Sequence, residues 1–160
     1  MSTSFYNRYW KDKTTYLDDF SLKWPKLARY IPREKNITIL DFGCGNGFIL
    51  KEIHVLNPSA RLLGIDTSET AIAQARSVLP EAEFSLEEAG KIPLADESID
   101  FLVCSEVVEH IYETETAFEE IARVLKKGGE ILLTTPHHGL IKNILLAIFA
   151  FDRHFDPVGP

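Results

Sequence analysis

The sequence predicts a single α/β domain built on a doubly wound parallel sheet. Three observations predict this fold. Five short and nearly continuous apolar runs recur along the chain, as expected for strands that are covered on both faces. Segments with helical periodicity separate most of these runs, which gives a repeated strand–helix–strand order. The chain has 160 residues and a hydrophobic content of 45%, which suffices for one substantial core.

The predicted strands follow the apolar runs in chain order. They begin at Ile37, Arg61, Ala82, Ile99 and Glu130, and their sequences are ITILDFG, RLLGID, AEFSLE, IDFLVCSE and EILLTTP. The segment EEAGKIPLADES separates the third run from the fourth, and its glycine and proline predict a loop.

The first two core helices are predicted after the first and second strands. Apolar residues recur at helical spacing after the first strand until Asn57-Pro58 stops them. After the second strand, Ser68 is the expected N-cap. The stripe behind it consists of Ala71, Ile72, Ala75, Val78 and Leu79.

A third core helix is predicted after the fourth strand. Thr116 and Glu119 have the spacing of a capping box at its start. Lys126 and Lys127 suit the negative C-terminal end of a helix, and Gly128 suits a left-handed cap after it.

The segment before the sheet is predicted to form a helical cover over residues 1–35, ahead of a core over residues 36–160. Pro25 is expected to start a short helix within this segment. The apolar residues that share a face there are Tyr16, Phe20, Trp24, Leu27 and Ile31.

A glycine-rich turn, Asp41-Phe42-Gly43-Cys44-Gly45-Asn46-Gly47, joins the first strand to the first core helix. Alternate glycines permit positive φ and a close approach of the backbone to a ligand, and the helix that follows offers free N–H groups to an anion. Dinucleotide enzymes use G-x-G-x-x-G, but residue 48 is Phe, which counts against NAD. Asp41 adds a fixed negative charge that would repel a pyrophosphate and could hold an ammonium group.

This turn resembles the first motif of class I, Rossmann-like S-adenosylmethionine-dependent methyltransferases, in particular the small-molecule branch that includes ubiquinone-biosynthesis O-methyltransferases. The resemblance spans roughly residues 36–136. It implies S-adenosyl-L-methionine as the cofactor and a small-molecule methyl acceptor. In the turn it implies cofactor contacts by Asp41, Gly43, Cys44, Gly45 and Gly47.

Three further stretches carry the resemblance. Asp66 ends the second run, and in similar enzymes the acid at this position accepts both ribose hydroxyls, with Thr67 beside it. The stretch from residue 87 to 94 resembles G-D-A-x-x-L-P-F, so Glu88 and Ala89 are expected at the adenine. It departs from that pattern, because Glu87 replaces the usual Gly and Glu88 the usual Asp. The strand and turn IDFLVCSEVVEH place Ser105 in the pocket wall.

The catalytic residues are not assigned by the sequence. A sulfonium methyl is already activated, so alignment of the acceptor and exclusion of water can suffice. If the acceptor needs a base, the candidates at strand ends are Glu106, His110 and His137. His137 and His138 are not expected to hold a metal, because adjacent side chains diverge and no other ligand has suitable spacing.

Composition limits the partners and the location. The net charge of −7 argues against nucleic acid as a partner. Cys44 and Cys104 lack metal or redox spacing, and the N-terminus lacks a secretory signal, so a cytoplasmic protein is expected. The apolar stretch from residue 139 to 151 is too short to cross a membrane. The stripe from Leu140 to Phe151 predicts a core helix or a lid over an apolar acceptor, with a membrane-surface contact as the third alternative.

Only about two dozen residues follow the fifth predicted strand, whereas similar methyltransferases add an antiparallel hairpin there. The expectation is therefore a fold that is truncated after five strands, with an unpaired sheet edge through which the chain could self-associate. Two alternatives to a methyltransferase stay open, namely a non-catalytic cofactor-binding module and a nucleotide-dependent oxidoreductase.

Overall fold

The computed structural model describes residues 3–12, 20–88 and 90–135, and its centre is a parallel sheet. The five strands in these ranges are β1 (Thr38–Phe42), β2 (Arg61–Asp66), β3 (Glu83–Leu86), β4 (Ile99–Ser105) and β5 (Leu125–Thr134). They pair in the order β3-β2-β1-β4-β5, and every pair is parallel. The predicted doubly wound α/β sheet is confirmed.

Helices connect the strands and precede the sheet. They are α1 (Thr3–Asp12), α2 (Phe20–Leu27), α3 (Phe48–Leu56), α4 (Glu69–Val78) and α5 (Thr114–Val124), with a 3₁₀ turn at Val108–His110. Helices α3, α4 and α5 are the crossover connections that a parallel sheet requires. The interval between β3 and β4 contains no helix or strand among its described residues, as predicted.

The inner strands of the sheet are covered on both faces, so their side chains divide into two apolar clusters. Ile39 of β1 belongs to a cluster with Leu50 and Ile53 of α3 and with residues of α4. Leu40, the next residue, belongs to the other cluster together with Ile121 of α5. Alternation along β1 explains this division. Each such buried aliphatic side chain stabilises the fold by about 1.5–3 kcal/mol.

The strand order fixes where a site can form. The chain runs from β1 outward to β3 and then returns to β4, on the other side of β1. The connections leave β1 and β4 in opposite directions, which opens a crevice at the carboxyl ends of these two strands. Asp41, near the end of β1, lies opposite Gly64 of β2 and Val103 of β4.

Several local predictions are confirmed. Helix α3 ends at Leu56 with Asn57 as its C-cap. The Ser68 hydroxyl caps α4, since its Oγ accepts a hydrogen bond from the backbone N–H of Ala71 at 3.2 Å. The Asp100 carboxylate of β4 also accepts a hydrogen bond from the Thr38 N–H of β1 at 2.8 Å, which joins these two strands.

The predicted capping box of the third core helix is wrong. Helix α5 begins at Thr114, so Thr116 lies inside its first turn, and the N-cap is Glu113 without a side-chain cap. The earlier start has a local cause. The Thr114 hydroxyl donates to the carbonyl of Ile111 at 2.8 Å, and the Ala117 N–H already bonds the carbonyl of Glu113 at 3.1 Å.

The predicted end of this helix is also wrong. Gly128 has the expected positive φ of 83°, but it lies within β5 and not at a helix cap. Lys126 and Lys127 pair with Asp100 and Glu97, at 2.8 and 3.6 Å. The pairing of β5 with β4, which shifts register near Ile99, draws this segment into the sheet and makes the glycine part of an irregularity in the strand.

Proline 25 does not start a helix either. It lies inside α2, which begins at Phe20. The rings of Phe20 and Trp24 stack at 5.5 Å and support the turn before the proline, which has no N–H to donate.

Some predictions fall on residues that the structure does not describe. These include Tyr16, Ala89, the His137-His138 pair and the apolar stripe from Leu140 to Phe151. The division at residue 35 stays a prediction, because the two N-terminal helices do not by themselves test it. Within residues 3–12, 20–88 and 90–135, no helix has both the length and the apolar character needed to cross a bilayer.

Candidate functional site

The glycine turn lies directly above the end of β1 and is tied to the neighbouring strand. The backbone N–H groups of Gly43 and Cys44 both donate to the carbonyl of Ile65, at 2.8 and 2.9 Å. Gly43, Gly45 and Gly47 all have positive φ, of 79°, 52° and 79°. The turn therefore has a conformation that glycine adopts without strain, as the sequence predicted.

Two of these glycines are also required by contact. A Cβ atom at Gly43 would come within 2.4 Å of a Val107 methyl, after β4. A Cβ atom at Gly45 would come within 2.5 Å of Cζ2 of Trp10, on α1. Both distances are shorter than real Cβ contacts, so neighbouring side chains use the space that the missing side chains leave.

Asp41 is buried beneath this turn with no partner in the described structure. It is 1% exposed, and neither of its carboxyl oxygens has a hydrogen-bond partner. Burial and, to a smaller extent, the nearby Asp66 carboxylate together raise the pKa of Asp41 to about 8. The expectation of a fixed negative charge is thereby modified, because the carboxyl is mostly neutral at pH 7 until a cation approaches it.

Asp66 lies at the end of β2 and joins the turn to the next helix. Its Oδ2 accepts from the Gly45 N–H and its Oδ1 from the Ser68 N–H, both at 2.8 Å. Burial raises the pKa of Asp66, while hydrogen bonds from the backbone of Ser68, Gly45 and Thr67 lower it. Each carboxylate oxygen keeps acceptor capacity beyond its one N–H partner, so the group can receive further donors.

A polar cluster lies at the ends of β4 and β5. The hydroxyls of Ser105 and Thr134 are 2.9 Å apart, and the Thr134 hydroxyl donates to Glu106 Oε1 at 3.0 Å. Glu106 Oε2 pairs with Lys23 of α2 at 3.3 Å. Glu106 also has a positive φ of 58°, an unusual conformation for a non-glycine residue. Of the predicted base candidates, Glu106 is therefore fixed at the strand ends.

The other predicted site residues lie apart from these groups. The Glu88 side chain is 78% exposed and pairs with Lys91. The His110 side chain is 44% exposed, in the 3₁₀ turn after β4. Ala89 and His137 lie outside the described residues. The structure thus brings together Asp41, the glycine turn, Asp66, Thr67 and Ser105 at one sheet edge, but it does not add the Glu88 carboxylate to them.

The two cysteines are buried, Cys44 in the glycine turn and Cys104 in β4. Burial raises the pKa of Cys44 well above its ordinary value, and burial also raises the pKa of Cys104 to about 12. Both thiols are therefore protonated and contribute by packing. In the part of the chain that the structure describes, no group of three His, Cys, Asp or Glu side chains has the geometry of a metal site.

Four contacts at the site were not predicted from the sequence. They involve Asn7 and Trp10 of α1, Lys23 of α2 and Val107 after β4. The N-terminal aromatic residues were the available signal for Trp10. The partner of each residue lies far away in the chain, so spacing alone gave no indication of the contacts.

Comparison with known proteins identifies relatives of the chain. A family model described as a methyltransferase domain matches residues 33–149. A probable S-adenosylmethionine-dependent methyltransferase of Mycobacterium tuberculosis (strain CDC 1551 / Oshkosh) is 32% identical over 109 residues, or 68% of this chain and 39% of that protein. The ubiquinone/menaquinone biosynthesis C-methyltransferase of Campylobacter jejuni subsp. jejuni serotype O:6 (strain 81116 / NCTC 11828) is 31% identical over 109 residues, or 62% of this chain and 45% of that protein.

A solved structure shares the fold. The S-adenosylmethionine-dependent methyltransferase from Mesorhizobium loti superposes with a TM-score of 0.65 and 26% identity, over 72% of this chain and 53% of that chain. The chain thus spans 39% to 45% of the length of the two curated relatives and about half of this structure.

Proposed function

The chain belongs to the methyltransferase domain family, and on this premise we propose that it forms the cofactor-binding part of an enzyme that methylates a small-molecule acceptor. The cofactor is S-adenosyl-L-methionine. Membership in this family supports a methyltransferase over the nucleotide-dependent oxidoreductase. The observation that carries the proposal is the arrangement of two carboxyl groups at a glycine turn, namely the buried Asp41 and the partly buried Asp66.

The residues present fit this cofactor. Asp41 offers two buried oxygens without a partner in the described structure, which suits the ammonium group of an amino acid. An approaching cation would ionise this carboxyl, and the resulting charge pair would hold the amino-acid end. Asp66 is oriented by the backbone of Gly45 and Ser68, and its remaining acceptor sites suit a pair of ribose hydroxyls.

When bound, the cofactor supplies a methyl group that its sulfonium already activates. The protein's own task is then to position the acceptor and to exclude water. Ser105, Glu106 and Thr134 lie at the strand ends where an acceptor would approach, and their mutual hydrogen bonds hold them in place. We assign Glu106 a role in positioning the acceptor and not that of a base, because Lys23 and Thr134 already contact its two carboxylate oxygens.

Substitution of Asp66 tests the cofactor site. We expect the chain to bind S-adenosyl-L-methionine and Asp66→Ala to weaken the affinity by about 10- to 100-fold, because two hydrogen bonds to a charged acceptor are lost. Titration calorimetry measures the affinity, and melting curves verify that each variant is folded. Glu81→Ala, at an exposed position between α4 and β3, is the control and should bind as the unmodified chain does. Binding of NADH in place of the adenosyl cofactor would contradict the proposal.

A second experiment separates an enzyme from a non-catalytic binding module. The full-length gene product is incubated with cofactor that carries a labelled methyl group and with small-molecule extracts, RNA or protein in separate reactions. We expect label to enter the small-molecule fraction. Cofactor binding without transfer to any fraction would favour the binding module, whereas label in RNA or protein would refute the small-molecule acceptor.

A further inference from the structure

Helix α1 reaches the candidate site at two points on one face. Asn7 and Trp10 are three residues apart and therefore lie on the same side of the helix. Asn7 Oδ1 accepts from the Ser68 hydroxyl at 2.8 Å and from the Thr70 N–H at 3.4 Å. The ring of Trp10 lies against Gly45. One contact is thus at the start of α4 and the other at the glycine turn.

These two contacts lie on two neighbouring rims of the site, which follow the adjacent strands β1 and β2. The glycine turn is the rim proposed for the amino-acid end, and Ser68 follows the aspartate proposed for the ribose. Asp66 links the rims from below, since it accepts from the N–H groups of both Gly45 and Ser68. Helix α1 links the same two rims from the other side. Asp66 and α1 therefore both contact the two segments that are proposed to hold the cofactor.

Helix α1 is held at the site by contacts of partly buried side chains. Besides the Asn7 contacts, Gln74 of α4 donates to the carbonyl of Trp10 at 2.8 Å. Both Asn7 and Trp10 are only partly buried. Elements that are held by a few polar contacts and one aromatic contact open at a smaller free-energy cost than core strands.

We propose that α1 is a clamp on the cofactor site and that Trp10 is its positioning residue. This inference rests on the proposed function. The indole holds the glycine turn from above, while Asn7 fixes the helix to the start of α4. The cofactor then binds and leaves by opening of α1, and the closed clamp slows its dissociation.

Affinity measurements on the chain with residues 1–35 present test the clamp. We expect Trp10→Ala to weaken S-adenosyl-L-methionine binding by at least 10-fold, with a matching rise in the dissociation rate. Trp10→Phe should recover most of the affinity, because it retains an aromatic ring against Gly45. Arg8→Ala, an exposed position on the same helix, is the control and should have no effect.

A spectroscopic measurement distinguishes a clamp from a merely structural contact. The chain has two tryptophans, so Trp24→Phe leaves Trp10 as the sole indole. The fluorescence of Trp10 should change on addition of the cofactor, with a midpoint equal to the calorimetric Kd. Amide exchange in residues 3–12 should also slow with bound cofactor, and this protection should disappear in Trp10→Ala.

The outcomes separate the two proposals. If the unmodified chain binds the cofactor and Trp10→Ala binds it equally well, or if cofactor changes neither Trp10 fluorescence nor α1 exchange, the clamp is overturned and the proposed function stands. If the unmodified chain does not bind S-adenosyl-L-methionine, both are overturned.

Discussion

Asp41 shows how a single residue links folding to pH. Its folded-state pKa is about 8 against an ordinary value of 3.8, because burial disfavours the charged form. Between these two values the unfolded chain has released a proton that the folded chain retains. Stability from this group is therefore complete below about pH 4 and declines as the pH rises toward 8. This loss of stability with rising pH arises at Asp41, the residue that we propose binds the ammonium group of the cofactor.

We predict that Asp41→Asn removes much of this decline. The asparagine side chain has a similar shape and does not ionise, so the variant should gain stability over the unmodified chain as the pH rises from 5 to 7. The expected slope is at most about 1.4 kcal/mol per pH unit. Asp66 and Cys44 interact with Asp41, so part of the pH dependence will remain. Urea unfolding at several pH values measures the difference.

Glu81→Gln, at an exposed position, is the control for this comparison. Its unfolding free energy should follow that of the unmodified chain at each pH. Parallel curves for Asp41→Asn and the unmodified chain would show that Asp41 is ionised in the folded state, contrary to the prediction.

At the scale of elements, one arginine fastens the long loop before β4 to helix α5. Arg123 donates to the carbonyls of Ile92 and Leu94, both at 2.8 Å. It also pairs with Asp96 and Glu120, both at 2.7 Å. Ile92 is 2% exposed, so the loop contributes to the core below it. A segment without regular secondary structure is thus ordered through the fork geometry of one guanidinium group.

We predict that Arg123→Lys destabilises the fold by about 1–2 kcal/mol, although the charge is kept, because an ammonium cannot bond all four partners together. Chemical denaturation measures this change. Arg29→Ala, at an exposed position after α2, is the control and should lie within about 0.5 kcal/mol of the unmodified chain. Equal stability of Arg123→Lys and the unmodified chain would mean that the loop is held by its apolar contacts alone.

At the scale of the whole molecule, ligand binding and stability are linked. The proposed cofactor contacts come from β1, β2 and the segments that follow them, so unfolding destroys the site. Cofactor at 100 times its Kd should therefore stabilise the fold by about 2.7 kcal/mol. For a chain of this size, we predict a rise in Tm of about 5–10 °C.

Thermal denaturation with and without S-adenosyl-L-methionine measures this shift. Asp66→Ala at the same cofactor concentration should show a much smaller rise, and NADH should produce none in either chain. An equal rise with NADH, or no rise with the adenosyl cofactor, would contradict the prediction.

The sequence by itself determined the sheet and the position of its site. Apolar runs and helical spacing are local patterns, so they located the five strands and the core helices. The glycine turn and Asp66 follow strand ends directly, and the carboxyl ends of parallel strands meet at one edge. These features were predictable because each depends on residues that are near one another in the chain. The end of α5 was not, since pairing of β5 with β4 moved it away from the position that local preference favours.

Only the tertiary structure decided the contacts that join distant segments. Trp10 meets Gly45, Lys23 meets Glu106, and Val107 meets Gly43. The neutral state of Asp41 could not be predicted from the sequence either, because the pKa of a carboxyl group depends on its depth of burial and on the charges that folding brings near it. The number of residues between two such side chains in the sequence does not give the distance between them in the folded protein. Their chemistry arises only when strands and helices from separate parts of the chain pack around the same crevice.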